Sequence, residues 1–465
     1  MKPDPSSFRD FRGQVYRLDG RIFRTIAPLA EENFKKVEDT GILSDLVASG
    51  DLVEWWRLQS VELSERFGGM TILEHKVLPI ISYPYEWTFE GLKTAALFQL
   101  DILLEALSRR LTMTDASAYN IQFIGTRPIF IDHLSFRPYQ EGELWQAHQQ
   151  FLSQFVNPLL LWAWTGESFH KLYRGNLEGI SNRTLANLAP AKAYFSWRVL
   201  MHQFIPNYLE KRYQPGTKSV AARTNNQSLS RSRFRSLLQD LRHWIVKLEP
   251  KNKKPTMWRD YASNHSYSVE SYEQKINIVA EFISSVKPER LWDLGCNVGD
   301  FSNIALQNGA GFCIGLDSDL DSLEVAFKRA KQENLRLLPL YQDLLNPSPD
   351  QGWNQAERTG IFGRTNEKRD AIIALAVIHH LVISGNIPLD MAINWITRQA
   401  ENCLIEFIPP EDKMIKILTE HRTDRSFDLT ENAFREGVLR SNCEIKKKFK
   451  INGGRSLFWI KHAKQ

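Results

Sequence analysis

The chain has 465 residues, 43% of them apolar, with 13 Trp and 26 Phe, which is enough for more than one packed core and excludes global disorder. A net charge of +5 is mild at this length and does not by itself point to nucleic acid. The four cysteines (Cys296, Cys313, Cys403 and Cys443) show neither CxxC pairs nor a cysteine–histidine spacing suited to zinc, so no metal site is expected and buried, reduced thiols in a cytoplasmic protein are.

The N-terminal "MKPDPSSFRDFRG" lacks the apolar stretch of a signal peptide. The most apolar run, "NPLLLWAWTG", is far shorter than the roughly 20 residues a membrane-spanning helix needs, so a soluble chain is expected. Residues 1–205 are assigned to an α+β domain. It opens with a hairpin, "QVYRLDGRIFRTI", turning at Asp19-Gly20, and continues into helices rich in Leu and Trp. Within it, "TMTDASAYNIQFIGTRPIFIDHLSF" carries Asp115, then Asn120, then a short hairpin and Asp132 at the end of an apolar strand. That constellation resembles the catalytic loop and metal-binding acid of the kinase-like phosphotransferase fold, in which one acid serves the acceptor hydroxyl and an amide and a second acid hold Mg²⁺. The resemblance extends to "PIISYPYEWTF" as an interlobe hinge and to "LKTAALFQLDILLEALSRRL" as the helix entering the loop. It implies a nucleotide site, with Mg-ATP as its ligand, at Asp115, Asn120 and Asp132. Three features depart from the pattern: there is no glycine-rich phosphate loop, Arg24 stands where a lysine is usual, and Thr114 precedes Asp115. The alternative is an accessory domain in which Asp115 caps a turn and Asp132 begins a loop.

Residues 206–258 are strongly basic and rich in Ser and Asn, and read as a linker. Its Lys and Arg residues could follow an RNA backbone, but a solvated linker with one amphipathic helix, "FRSLLQDLRHWIVKL", fits its few aromatic residues better.

From 259 to 465, the runs "RLWDLG", "GFCIGLD", "LRLLPLYQD", "RDAIIALAVI" and "NCLIEFI" alternate with helix-length segments. This predicts an α/β domain with a Rossmann-like, mostly parallel sheet. The tail "CEIKKKFKINGGRSLFWIKHA" predicts a closing antiparallel hairpin turning at Gly453-Gly454. The first strand ends in Asp293. Gly295 then permits a tight turn, and Gly299 is expected to let the backbone approach a ligand. The spacing is not G-x-G-x-x-G, which disfavours a dinucleotide. Asp317 ends the second strand, placed for ribose hydroxyls, and Asp343 ends the third, placed for an adenine amino group. Acids at consecutive strand ends suit a nucleoside with a cationic centre and repel a pyrophosphate.

"DLGCNVG", "GLDSD", "YQDL" and "ALAVIHHL" together resemble the class I S-adenosyl-L-methionine-dependent methyltransferases. The resemblance implies a seven-stranded sheet with an antiparallel last strand. It also implies cofactor contacts at Asp293, Gly295, Asn297, Gly299, Asp317, Asp343 and Leu375. Asn297 replaces a common glycine at a φ that asparagine can reach. The fourth strand lacks the Pro-Pro motif of amine methylation and the Pro-Cys pair of cytosine methylation. A small-molecule or saccharide acceptor is therefore implied, with His379 or His380 as general base and Glu406 contacting the acceptor or closing the site. "LIEFIPPED" with "HRTDRSFDLTENAFRE" further resembles the nodulation-protein (NoeA-type) methyltransferases, a group associated with surface or signalling saccharides. Tyr261, Tyr267 and Tyr272 are candidates for a lid over the adenosine. On this reading the N-terminal half selects the acceptor, or phosphorylates it in a bifunctional enzyme, and recruitment of RNA or protein through the linker is the remaining alternative.

Overall fold

β-branched and aromatic residues alternating across Asp19-Gly20 give the first hairpin, β1 (Val15–Leu18) and β2 (Arg21–Ile26). Asp19 and Gly20 both sit at positive φ, 50° and 74°, as a tight two-residue turn requires. A computed structural model describes residues 3–58, 65–204, 230–251, 269–364, 369–420, 429–452 and 454–462. With β3 (Trp55–Arg57) and β4 (Thr71–His75) the hairpin forms an antiparallel sheet in the order β1-β2-β4-β3. Helix α1 (Phe89–Ser108) follows, its first turn capped by Thr88, whose side chain accepts from Gly91 N at 2.9 Å. Beyond it, β5 (Leu111–Met113) pairs with β8 (Phe136–Pro138), enclosing the hairpin β6 (Ile121–Ile124) and β7 (Arg127–Phe130).

Much of the expected basic linker lies outside the described residues. Its amphipathic segment forms helix α2 (Arg231–Val246), which packs Phe234, Leu238, Leu241 and Ile245 into the core against α1. Arg242 reaches Asp101 of α1 at 2.6 Å. The apolar stripe that sequence reading gave to a solvated linker thus belongs to the N-terminal fold.

In the C-terminal half, helix α3 (Val269–Val286) precedes the first strand, β9 (Arg290–Leu294). Helix α4 (Asp300–Gln307), β10 (Phe312–Asp317), helix α5 (Leu320–Gln332) and β11 (Leu337–Tyr341) follow. The sheet is completed by β12 (Arg369–Ala374), β13 (Ala400–Phe407), β14 (Cys443–Lys450) and β15 (Ser456–His462). The order is β11-β10-β9-β12-β13-β15-β14, with β15 antiparallel to both neighbours. This is a mixed α/β fold with a mostly parallel sheet, as its apolar runs predict. Gly453 lies outside the described residues, so only one half of the predicted Gly-Gly turn is seen. The strand order reverses between β9 and β12, and crevices for ligands open at such reversals, beyond the strands' carboxyl ends.

One buried apolar cluster runs from the N-terminal helices through the C-terminal sheet. Phe123 of β6 meets Phe327 of α5 edge to face at 6.0 Å. The Glu324 carboxyl, also on α5, accepts from Phe89 N and Glu90 N, capping α1 from the other half of the chain. All four cysteines are buried and free. Among the described residues no helix is long and apolar enough to cross a membrane.

Candidate active site

Above the β9/β12 reversal lies a cleft of about 330 Å³. Asp293, Gly295, Asn297, Asp317, Asp343, Leu375, His379 and His380 line it, which brings most of the sequence-predicted residues to one place.

The turn after β9 explains itself residue by residue. Gly295 and Gly299 sit at φ +73° and +81°, where a side chain is strained. A Cβ on Gly295 would come within 2.6 Å of Val377 Cγ2, and one on Gly299 within 3.0 Å of Leu337 Cδ2. Sequence reading expected a ligand at the second position, but these glycines make room for protein: the first for the loop after β12, the second for β11. Asn297 takes the left-handed conformation at φ +50°, and its side-chain oxygen accepts from Val298 N at 2.8 Å.

Asp293 is buried, and burial pushes its carboxyl up to about 7 against the opposing effect of Ser302, whose hydroxyl donates to it at 2.6 Å. Asp317 accepts Asn297 N on one oxygen and Asp319 N on the other, both at 2.8 Å, so the turn and the next helix are tied to one carboxylate. The Ser318 N–H also favours its charged form, and three backbone donors leave acceptor capacity on the carboxylate. β11 ends at Tyr341, so Asp343 stands just beyond the strand, where its Oδ1 accepts Leu345 N at 2.9 Å.

On the opposite side His379 is buried and His380 half-buried, their ring centroids 4.2 Å apart. Burial, followed by the charges of His380, Arg455 and Lys275, holds His379 well below the usual histidine range, so it is neutral at pH 7. Its Nδ1 is buried without a hydrogen-bond partner among the described residues.

Glu406 does not line the cleft. It is fully buried, with Lys275 Nζ at 2.8 Å and Arg455 Nη1 at 3.6 Å, and Asp412 holds the same arginine at 2.7 Å. A carboxylate held in this way is not placed to touch an acceptor. Its partners Lys275 and Arg455 do line the cleft, and sequence reading missed both. One signal was available: Ser271, Lys275, Ile278, Val279 and Phe282 make the buried stripe of α3, with a lysine where an apolar residue is expected. Of the expected aromatic lid, Tyr272 lines the cleft with its hydroxyl 3.5 Å from Asp300, while Tyr261 and Tyr267 lie outside the described residues.

A second cleft, of about 620 Å³, lies in the N-terminal half, and Asp115, Asn120 and Asp132 converge there. Asn120 Nδ2 donates to Asp115 Oδ2 at 3.1 Å and lies 3.4 Å from Asp132 Oδ2. Arg24 Nη2 sits 2.8 Å from Asp132 Oδ1 and 2.6 Å from Asp10. The Arg24 guanidinium thus stands among these carboxylates, paired with two of the acids of the cleft. Asp132 also caps the short turn His133–Ser135, accepting from Leu134 N, and Asp115 accepts from Ser117 N, so both carboxylates act on local turns.

No family model matches the chain. It is 39% identical over 459 residues to the nodulation protein NoeA of Rhizobium meliloti (strain 1021), covering 98% of this chain and 95% of that one. Among solved structures it is similar to magnesium protoporphyrin IX methyltransferase (ChlM) from Synechocystis PCC 6803 with bound SAH, at 14% identity over 57% of this chain and 98% of that chain, TM-score 0.32. It is likewise similar to an S-adenosylmethionine-dependent methyltransferase from Clostridium acetobutylicum ATCC 824, at 11% identity over 44% of this chain and 96% of that chain, TM-score 0.32.

Proposed function

The chain belongs to the family of the nodulation protein NoeA, and from that premise we propose that it is an S-adenosyl-L-methionine-dependent methyltransferase whose acceptor is a saccharide or similar small hydroxylated molecule. The observation that carries this reading is the single cleft over the sheet's order reversal, with Asp317 and Asp343 on one wall and a neutral histidine on the other. The residues fit the cofactor. Asp317 has acceptor positions left for ribose hydroxyls, Asp343 stands where an adenine edge would come, and Leu375 supplies apolar contact. The acidic wall favours a sulfonium and disfavours a pyrophosphate. When bound, S-adenosyl-L-methionine supplies a methyl group already activated for attack, so the protein's task is alignment and removal of a proton.

The chain's own residues suit that task. His379, kept neutral by burial and by neighbouring cations, is available to take a proton from an acceptor hydroxyl. Glu406 and Asp412 hold Lys275 and Arg455 at the cleft wall, which fixes its shape. The N-terminal half, fused to the sheet by a shared core, positions the acceptor.

Transfer of radiolabelled methyl from S-adenosyl-L-methionine into a fractionated cell extract tests the acceptor class. Label should enter the saccharide or small-molecule fractions and depend on His379. Label confined to RNA or protein would reject the acceptor assignment.

A further inference from the structure

The N-terminal cleft is not built by the N-terminal half alone. Its wall is completed by Glu357, Arg358 and Arg364, from the segment between β11 and β12 of the C-terminal sheet. Arg364 forms a buried ion pair with Glu86, and Glu86 accepts from Gln342, which lines the other cleft. The two cavities thus share a wall of buried polar groups.

Arg358 is held differently from the other charges there. Arg24 is paired with Asp10 and Asp132, and Arg12 lies 3.4 Å from Asp10. Glu357 is engaged by Arg9 through two contacts of 2.9 and 3.0 Å and accepts Trp353 N at 3.0 Å. Arg358 donates from Nη1 to the Glu357 backbone oxygen at 3.3 Å and keeps 3.9 Å from its carboxylate, while its Nε is buried without a hydrogen-bond partner among the described residues and only 16% of the side chain is exposed. Its guanidinium instead lies over the Tyr119 ring, 4.2 Å from the centroid. Tyr119 is itself buried on the cleft wall, and its hydroxyl has no hydrogen-bond partner among the described residues. A largely desolvated guanidinium whose nearest carboxylate stands 3.9 Å away and is already engaged by Arg9 gains from an arriving anion, and its fork suits two oxygens of one group.

We infer that this composite cleft is a second binding site, for a ligand carrying an oxyanion, carboxylate or phosphate, held by Arg358 over Tyr119. The site fits the anionic end of a sugar acid or sugar phosphate, and its volume of about 620 Å³ admits a ligand of that size. The assignment stands whether or not the C-terminal cleft takes S-adenosyl-L-methionine.

Calorimetry on the full-length chain with glucuronate, glucose 6-phosphate and glucose tests it. At least one anionic sugar should bind at one site per chain, with glucose weaker by roughly tenfold or more. The anion's identity decides between carboxylate and phosphate. Arg358→Gln should weaken that binding by roughly tenfold or more, while the circular dichroism spectrum and the Tm of the unliganded protein stay near wild type. Arg358→Lys, which keeps the charge but loses the fork, should fall between, and decides the matter if Arg358→Gln does not fold. Absence of heat from both anionic sugars at millimolar concentration would overturn the inference. So would equal affinity for glucose, or full affinity in a folded Arg358→Gln protein. Mg-ATP binding that is lost in Asp132→Asn and kept in Arg358→Gln would give the cleft to a metal nucleotide instead.

Discussion

Glu406 shows how far a residue's neighbours decide its role. From sequence it is an acid at a strand end beside a predicted active site; in the fold it is the buried counter-charge of Lys275 and Arg455. Removing one partner of such a cluster leaves the others buried and uncompensated. Glu406→Gln should therefore lower the unfolding free energy by about 3 kcal/mol in urea titration. A variant as stable as wild type that has lost only activity would restore the catalytic role. Asn297 was easier to read, because a left-handed turn position admits few residues. Asn297→Ala should cost about 1 kcal/mol through backbone strain, with Asn297→Gly closer to wild type. Equal losses in the two variants would show that the lost side-chain acceptor, and not φ, governs the site. Lys275 and Arg455 could not be assigned from sequence, since a buried cation is defined by partners that the chain supplies from 131 residues away at Glu406 and 43 at Asp412.

Elements with strong periodicity were the legible ones. Five short apolar runs became the parallel strands, and the turn after β9 fell where Gly295 and Asn297 placed it. The helix at Arg231–Val246 was foreseen, but its docking on α1 was not, because an amphipathic pattern states that a face is covered and not by what. The cap on α1 was equally invisible: Thr88 is the local signal, whereas Glu324 arrives from α5, 235 residues later. Burial raises the Glu324 carboxyl to about 8 from 4.5, despite the backbone N–H groups of Glu90 and Phe89 that oppose it. The folded state then holds a proton that the unfolded chain releases. This group's contribution is fully present below pH 4.5 and is lost as the pH rises to about 8. Glu324→Gln keeps an acceptor for α1 and cannot titrate, so the gap in urea midpoint between variant and wild type should widen in the variant's favour from pH 5 to 8. A gap independent of pH would mean the carboxyl is ionised throughout.

At the scale of the whole molecule, two halves with separate sequence signatures share one core and set two clefts on either side of a buried polar wall formed by Glu86, Arg364 and Gln342. The C-terminal half could be read because its strand ends carry acids at positions that topology alone brings together. The N-terminal half could be read only as a constellation: Asp115, Asn120 and Asp132 do converge, yet Arg24 turns their meeting into an ion-paired cleft wall. That outcome depends on a side chain from a strand some hundred residues earlier, which spacing rules do not constrain. The central claim is that the cleft above the β9/β12 reversal holds S-adenosyl-L-methionine through Asp317, and calorimetry with S-adenosylhomocysteine tests it most directly. Wild type should bind at one site per chain, and Asp317→Ala should bind more weakly by about 2 kcal/mol, the cost of leaving ribose hydroxyls unpaired. No binding to wild type at millimolar ligand, or equal binding to both proteins, would contradict it.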